Sequence, residues 1–181
     1  MDKRFAQLRN LLTLQMTYPG KKLLFMGSEF GQYLEWRYNE ALDWVELNDE
    51  LNSKMQYFDQ KLNQFYLNEP SLWQLEQKDE SVQIIDADNK DVSVLSFIRQ
   101  GKIRHDFVIV ILNFTPVERK HFSIGVPYSG KYQEIFNTAR KEFGGTWDKG
   151  IQTMTTKQEK FKNLDYQIEM DLPGFSWRKR N

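Results

Sequence analysis

The chain has 181 residues, 40% hydrophobic and 28% charged, with Lys plus Arg equal to Asp plus Glu at 25 each. That length buries roughly 70% of the unfolded surface, enough for one solid domain or a smaller domain with an appendage, and the charge balance recommends neither nucleic acid nor an anionic membrane as partner. With no cysteine there is no disulfide framework, thiolate metal site or thiol nucleophile, which is compatible with a cytoplasmic location.

The N-terminus MDKRFAQLRN lacks the apolar stretch of a signal peptide, and no run approaches a membrane span. From Lys3 to Thr17, Phe5, Leu8, Leu11 and Leu12 recur at helical spacing, and Tyr18-Pro19-Gly20 stops the helix. Leu23 to Met26 is short, continuously apolar and bounded by Lys21-Lys22 and Gly27, the pattern of a strand covered on both faces in a parallel sheet. After it comes a long loop rich in carboxylates and aromatics. A second helix is expected to start near Asn48 or Asp49, with Leu51, Met55, Phe58, Leu62 and Phe65 on one face and Asn68-Glu69-Pro70 at its end.

Past Ser71 the hydrophobic period becomes two. Candidate strands are Val92 to Ile98, Phe107 to Leu112, Phe122 to Val126, Tyr132 to Phe136, Gln152 to Thr156, Tyr166 to Met170 and Phe175 to Trp177, separated by Gly- and Asn-containing turns. Many short strands at this spacing predict an antiparallel sandwich. The fold class is therefore α+β: a helix-strand-helix unit over residues 1–70, one repeat and a half of an alternating fold, then an all-β sandwich over 71–181, with a mobile hinge between Gly144 and Gly150.

The order of these elements, with PGKKLLFMGSEFGQ (Pro19 to Gln32), Glu35-Trp36 and Leu42-Asp43-Trp44, resembles the last strand and following loop of the catalytic barrel in 1,4-α-glucan branching enzymes of the α-amylase superfamily. Downstream, Asn113-Phe114-Thr115-Pro116-Val117 and Gly130 to Thr138 resemble the β-sandwich that closes those enzymes; Ala139 to Lys160 fits only at Phe143-Gly144-Gly145. The resemblance implies a retaining transfer of an α-1,4-glucan segment to a 6-hydroxyl, chemistry that needs two carboxyl groups facing one bond. It also implies that those carboxylates lie on earlier barrel strands, so this chain has no catalytic residue and is inactive alone. An alternative is a free-standing carbohydrate-binding or interaction module.

The candidate substrate contacts are Glu29, Phe30, Gln32, Glu35, Trp36 and Trp44, on the loop after the candidate barrel strand, since sugar faces stack on flat aromatics while carboxylates and amides take the hydroxyls. The plainer reading of Glu29 and Glu35 is that they hold the loop in shape, and that of Trp44 is packing. Trp147, after Gly144-Gly145-Thr146, is expected on an exposed loop as a further glucan contact. His105 and His121 lack a second ligand at metal spacing and read as solvated; no metal or cofactor is expected. The expected partners are an α-glucan and either the rest of the barrel or a second copy, because a lone apolar strand is an aggregation template. The Lys/Arg-rich ending reads as a frayed, solvated terminus.

Overall fold

A computed structural model describes residues 2–34 and 37–180, the last five by their backbone alone. Helix α1 spans Lys3–Thr17, with Asp2 at its N-cap accepting a hydrogen bond from the Arg4 amide at 2.8 Å. It ends at Tyr18, before Pro19, as the sequence predicts. Helix α2 spans Glu50–Asn68 and stops two residues before Pro70. Asp49 occupies its N-cap without a side-chain cap bond, its carbonyl accepting from the Ser53 amide instead.

Among the described residues eight strands follow, all paired antiparallel: β1 Val82–Asp86, β2 Val94–Gln100, β3 Phe107–Asn113, β4 Arg119–Val126, β5 Lys131–Asn137, β6 Thr153–Thr155, β7 Tyr166–Leu172 and β8 Ser176–Arg180. They form a six-stranded sheet in the order β1-β2-β3-β8-β5-β6 and a two-stranded sheet of β4 and β7. Strand β1 has no clear sequence signal, because an edge strand carrying Gln83 and Asp86 is only half apolar. The Lys/Arg-rich ending corrects the expectation of a frayed terminus. It belongs to β8, which pairs with β3 on one side and β5 on the other. Backbone ladder bonds need no apolar side chains, so composition could not reveal this.

Within the large sheet, β3 is buried on both faces. Phe107, Ile109 and Ile111 of β3 pack with Ile124, Ile168 and Met170 of the small sheet. Their neighbours Val108, Val110 and Leu112 pack the other way, with Leu72 and Phe97, against Leu14, Phe65 and Tyr66 of the helical layer. This double burial explains why β3 reads as an unbroken apolar run. A third cluster, including Phe5, Leu12, Met16, Met55, Phe58 and Leu62, joins α1 to α2. The molecule is thus layered: helices, large sheet, small sheet.

Buried polar side chains fasten the helical layer to the sheet. Arg99 of β2 is fully buried and donates to the carbonyls of Thr17 at the end of α1, Leu72 at 2.7 Å and Ser81 at 3.1 Å. Arg9 Nε donates to the Thr138 carbonyl at 2.8 Å, and Asn10 Nδ2 to the Asn113 carbonyl at 2.7 Å. Burial pulls the Arg9 guanidinium down to about 10.

Candidate functional site

The strand expected at Leu23 to Met26 is not formed. Among the described residues no strand pairs with the segment, its exposure alternates along the surface, and Leu23 and Phe25 are 73% and 51% exposed. A strand buried in a parallel sheet needs neighbours on both sides to take its amides and carbonyls. Here local groups take them: Gln15 Nε2 donates to the Leu23 carbonyl, and the Ser28 amide to that of Phe25 at 3.1 Å. The segment is tethered at its start by Lys22, whose Nζ lies 2.8 Å from Glu76 and donates to the Tyr18 carbonyl at 2.6 Å. The Tyr66 hydroxyl donates to the same Glu76 at 3.2 Å. Burial pulls the Lys22 ammonium below its usual range, which Glu76 partly offsets.

The loop turns at Gly27, where φ is +83° and a Cβ would sit 2.8 Å from Gln32 Cβ. Beyond the turn, Asn52 Nδ2 of α2 donates to the carbonyls of Phe30 at 3.1 Å and Gly31 at 3.3 Å. Glu46, on the short 3₁₀ helix Trp44–Asn48, accepts from the Tyr33 amide at 3.1 Å. Gln32 has both ends of its amide committed, Nε2 donating to the Leu34 carbonyl at 2.7 Å and Oε1 accepting from the Asp43 amide at 2.9 Å. Each bond fixes a backbone group that would otherwise need solvent, so the loop keeps one shape without a sheet.

Several expected contacts are therefore placed differently. Phe30 is fully buried, so it is no sugar platform; its ring centroid lies 5.2 Å from that of Trp44, with the planes at 32°. Gln32 is a strut inside the loop. Trp44, 52% exposed, keeps a free outer surface. Glu35 and Trp36 lie outside the described residues. Glu29 is half-buried and faces Asp59 of α2 closely enough for its charge to act on that carboxyl. Asp59 is pushed up to about 6, first by burial and then by Glu29, with the Asn63 amide, 2.9 Å from Oδ2, opposing.

Trp147 also departs from expectation, being only 6% exposed. The segment expected to be an open hinge is closed by backbone bonds, Gly145 amide to Arg140 carbonyl at 3.0 Å and Trp147 amide to Ala139 carbonyl at 2.9 Å. Gly145 permits that closure, since a Cβ there would lie 1.9 Å from the Ala139 carbonyl oxygen. Lys149 Nζ then covers the indole at 4.5 Å. Trp147 is a packing residue.

Sequence reasoning missed Asn52, Glu46 and Asp59. One signal was available for two of them: Asn52 and Asp59 sit three before Met55 and three before Leu62, on the apolar face of α2. A polar side chain there is buried and must serve a hydrogen bond. The Glu29 and Asp59 carboxyls do not make a glycosidic acid and nucleophile, because such a pair must face one accessible bond and Asp59 is buried. Among the described residues, no group of three or more His, Cys, Asp or Glu side chains could hold a metal ion. Nor, among the described residues, is any helix long and apolar enough to cross a membrane.

What the loop does present is apolar surface: Leu23, Phe25, Tyr33, Tyr38, Trp44 and Val45 are all exposed. Leu8 on α1 lines a groove with Phe25, Met26 and Leu34 and a second groove with Leu11, Phe114 and Phe175. The apolar surface thus runs continuously from the loop, across α1, to the sandwich.

Two antiparallel sheets with helices on one side define a closing β-domain of the amylase type. Residues 84–178 match the family described as "Alpha amylase, C-terminal all-beta domain", more than half of the chain, and the chain belongs to that family. It is 75% identical over 175 residues to the 1,4-alpha-glucan branching enzyme GlgB of Lactobacillus acidophilus, covering 97% of this chain and 27% of that protein. It is 42% identical over 171 residues to the enzyme of the same name from Lactiplantibacillus plantarum, covering 94% and 27%. The chain therefore spans about a quarter of the length of the curated relatives it matches, and it corresponds to their C-terminal portion. Among solved structures, a debranching enzyme of Nostoc punctiforme superposes with a TM-score of 0.62 at 16% identity, covering 97% of this chain and 31% of that one. That likeness shows the fold alone.

Proposed function

We propose that this chain acts as the C-terminal portion of a cytoplasmic 1,4-α-glucan branching enzyme, inactive by itself, with residues 1–70 completing the catalytic barrel and residues 71–181 forming the sandwich that steadies it. The observation that carries this reading is the 75% identity to a branching enzyme across 97% of the chain. The parent reaction would cleave an α-1,4 bond, hold the glucan segment on a carboxylate and pass it to a 6-hydroxyl, using carboxylates outside these residues. The exposed apolar surface from Leu23 to Val45 supports the reading, since a face of this kind marks a contact surface. In the completed barrel, Leu23 to Met26 would gain its neighbouring strands, and Trp44 would line one wall of the glucan cleft. A free-standing binding module would have no use for so large an uncovered face.

Iodine staining of amylose tests the proposal. The chain alone leaves the absorbance unchanged, whereas the chain mixed with the remaining portion of the Lactobacillus acidophilus relative lowers it. A fall with the chain alone would contradict the assignment of catalysis to other residues.

A further inference from the structure

A pocket of about 310 Å³ opens where α2, β5 and the loop following β5 meet. Its wall is a run of four aromatic rings: Tyr57 lies 5.8 Å from Phe143, Phe143 5.7 Å from Phe136 with the planes at 21°, and Phe136 5.1 Å from Phe65. Tyr57 is 39% exposed at the mouth. Three charged side chains also line it: Lys61, Arg140 and Glu142. Arg140 is held from behind, its Nη2 donating at 3.1 Å to the buried Glu134, while Nε and Nη1 have no partner among the described residues. Glu142 is exposed and makes no hydrogen bond or ion pair among the described residues. Lys61 Nζ rests 5.2 Å above the Tyr57 ring and otherwise only 3.5 Å from Gln64 Oε1, contacts weak enough for a ligand to displace.

We propose that this pocket is a glucan-binding site separate from the catalytic cleft, taking one or two glucosyl units of an α-1,4 chain. The inference rests on the branching-enzyme reading for the identity of the polymer. The chemistry matches a glucosyl unit: the C–H face of the ring lies against Tyr57, and hydroxyls accept from Arg140 and from the Lys61 ammonium as it leaves the Tyr57 ring, and donate to Glu142, in charge-assisted bonds. The volume lies at the lower end for ligand pockets, as suits a short stretch of chain. Such a site would hold the polymer on the enzyme between transfers without touching the reacting bond.

The test is affinity electrophoresis of the 181-residue chain in gels with and without glycogen, with titration by maltoheptaose for the dissociation constant. The wild type is expected to be retarded. Tyr57→Ala and the double variant Lys61→Ala with Glu142→Gln should weaken binding roughly tenfold, and Tyr57→Phe should retain it. Thermal unfolding of each variant, close to wild type at these partly exposed positions, separates lost binding from lost fold. Equal retardation of wild type, Tyr57→Ala and the double variant, or no retardation of any, overturns the proposal. If the iodine assay of the combined portions still reports branching, only the pocket has failed; if it reports none, the branching reading itself has failed.

Discussion

Two apolar runs in this chain meet opposite fates. Phe107 to Asn113 becomes the central strand β3, paired with β2 through seven residues and with β8 on its other edge, every residue buried. Leu23 to Met26, no less apolar in sequence, joins no sheet among the described residues, with Leu23 and Phe25 in solvent. Hydrophobicity draws a segment toward a core, but it makes a strand only where neighbours complete the ladder and side chains cover both faces. For β3, α1 and α2 cover one face and β4 and β7 the other. Nothing among the described residues does this for Leu23 to Met26, and side chains such as Gln15 and Asn52 take over part of what a sheet would do.

Substitutions can sharpen this contrast. The largest effect is expected at Arg99, which holds the helical layer on the sheet. Arg99→Met keeps the bulk of the stem but leaves the Thr17, Leu72 and Ser81 carbonyls without their donor, a loss of about 4 kcal/mol in chemical denaturation. Ile109→Ala, at a fully buried position of β3, should cost about 3 kcal/mol by the same measurement.

A smaller effect, with a pH signature, is expected at Asp59. Its folded pKa, about 6, is raised above the ordinary 3.8, so the folded state binds more protons than the unfolded between these values. Stability should therefore fall as pH rises from about 4 to about 6 and stay lowered above that. Asp59→Asn should remove this decline, raising Tm at pH 7.5 while leaving it nearly unchanged at pH 3.5. At the bottom of the scale, Leu23→Ala should change the stability of the isolated chain by less than about 0.5 kcal/mol. A loss there as large as that for Ile109→Ala would erase the distinction between the two runs.

Both helices and the main strands were legible because their signals are local. Leu8 to Leu12 and Leu51 to Phe65 carry the helical period, Pro19 and Pro70 mark the ends, and β3 is apolar throughout. Strand β1 and the strand role of Arg178 to Arg180 were hidden, since pairing depends on which backbone lies alongside and not on the side chains themselves. The candidate site was only partly legible. Trp44 keeps an exposed face, but Phe30, Gln32 and Trp147 turned out to be committed to the protein's own structure. Sequence identifies a residue able to bind a sugar; whether its surface is already occupied depends on contacts such as Phe30 with Trp44, Gln32 with Asp43, and Trp147 with Lys149. Glu46 acts through a backbone amide far along the chain and leaves no local motif, while Asn52 shows only by its place on the apolar face of α2 that it must be bonded, not to which part of the loop.

If Leu23 to Met26 is a barrel strand awaiting its neighbours, hydrogen exchange should register their arrival. Amide exchange would be followed in the isolated chain and in the intact branching enzyme built by joining this chain to the rest of the Lactobacillus acidophilus relative. Leu23 to Met26 should exchange fast in the isolated chain and at least about a hundredfold more slowly in the intact enzyme, with Phe107 to Asn113 slow in both. Equally fast exchange at Leu23 to Met26 in the two proteins would contradict the barrel-strand reading.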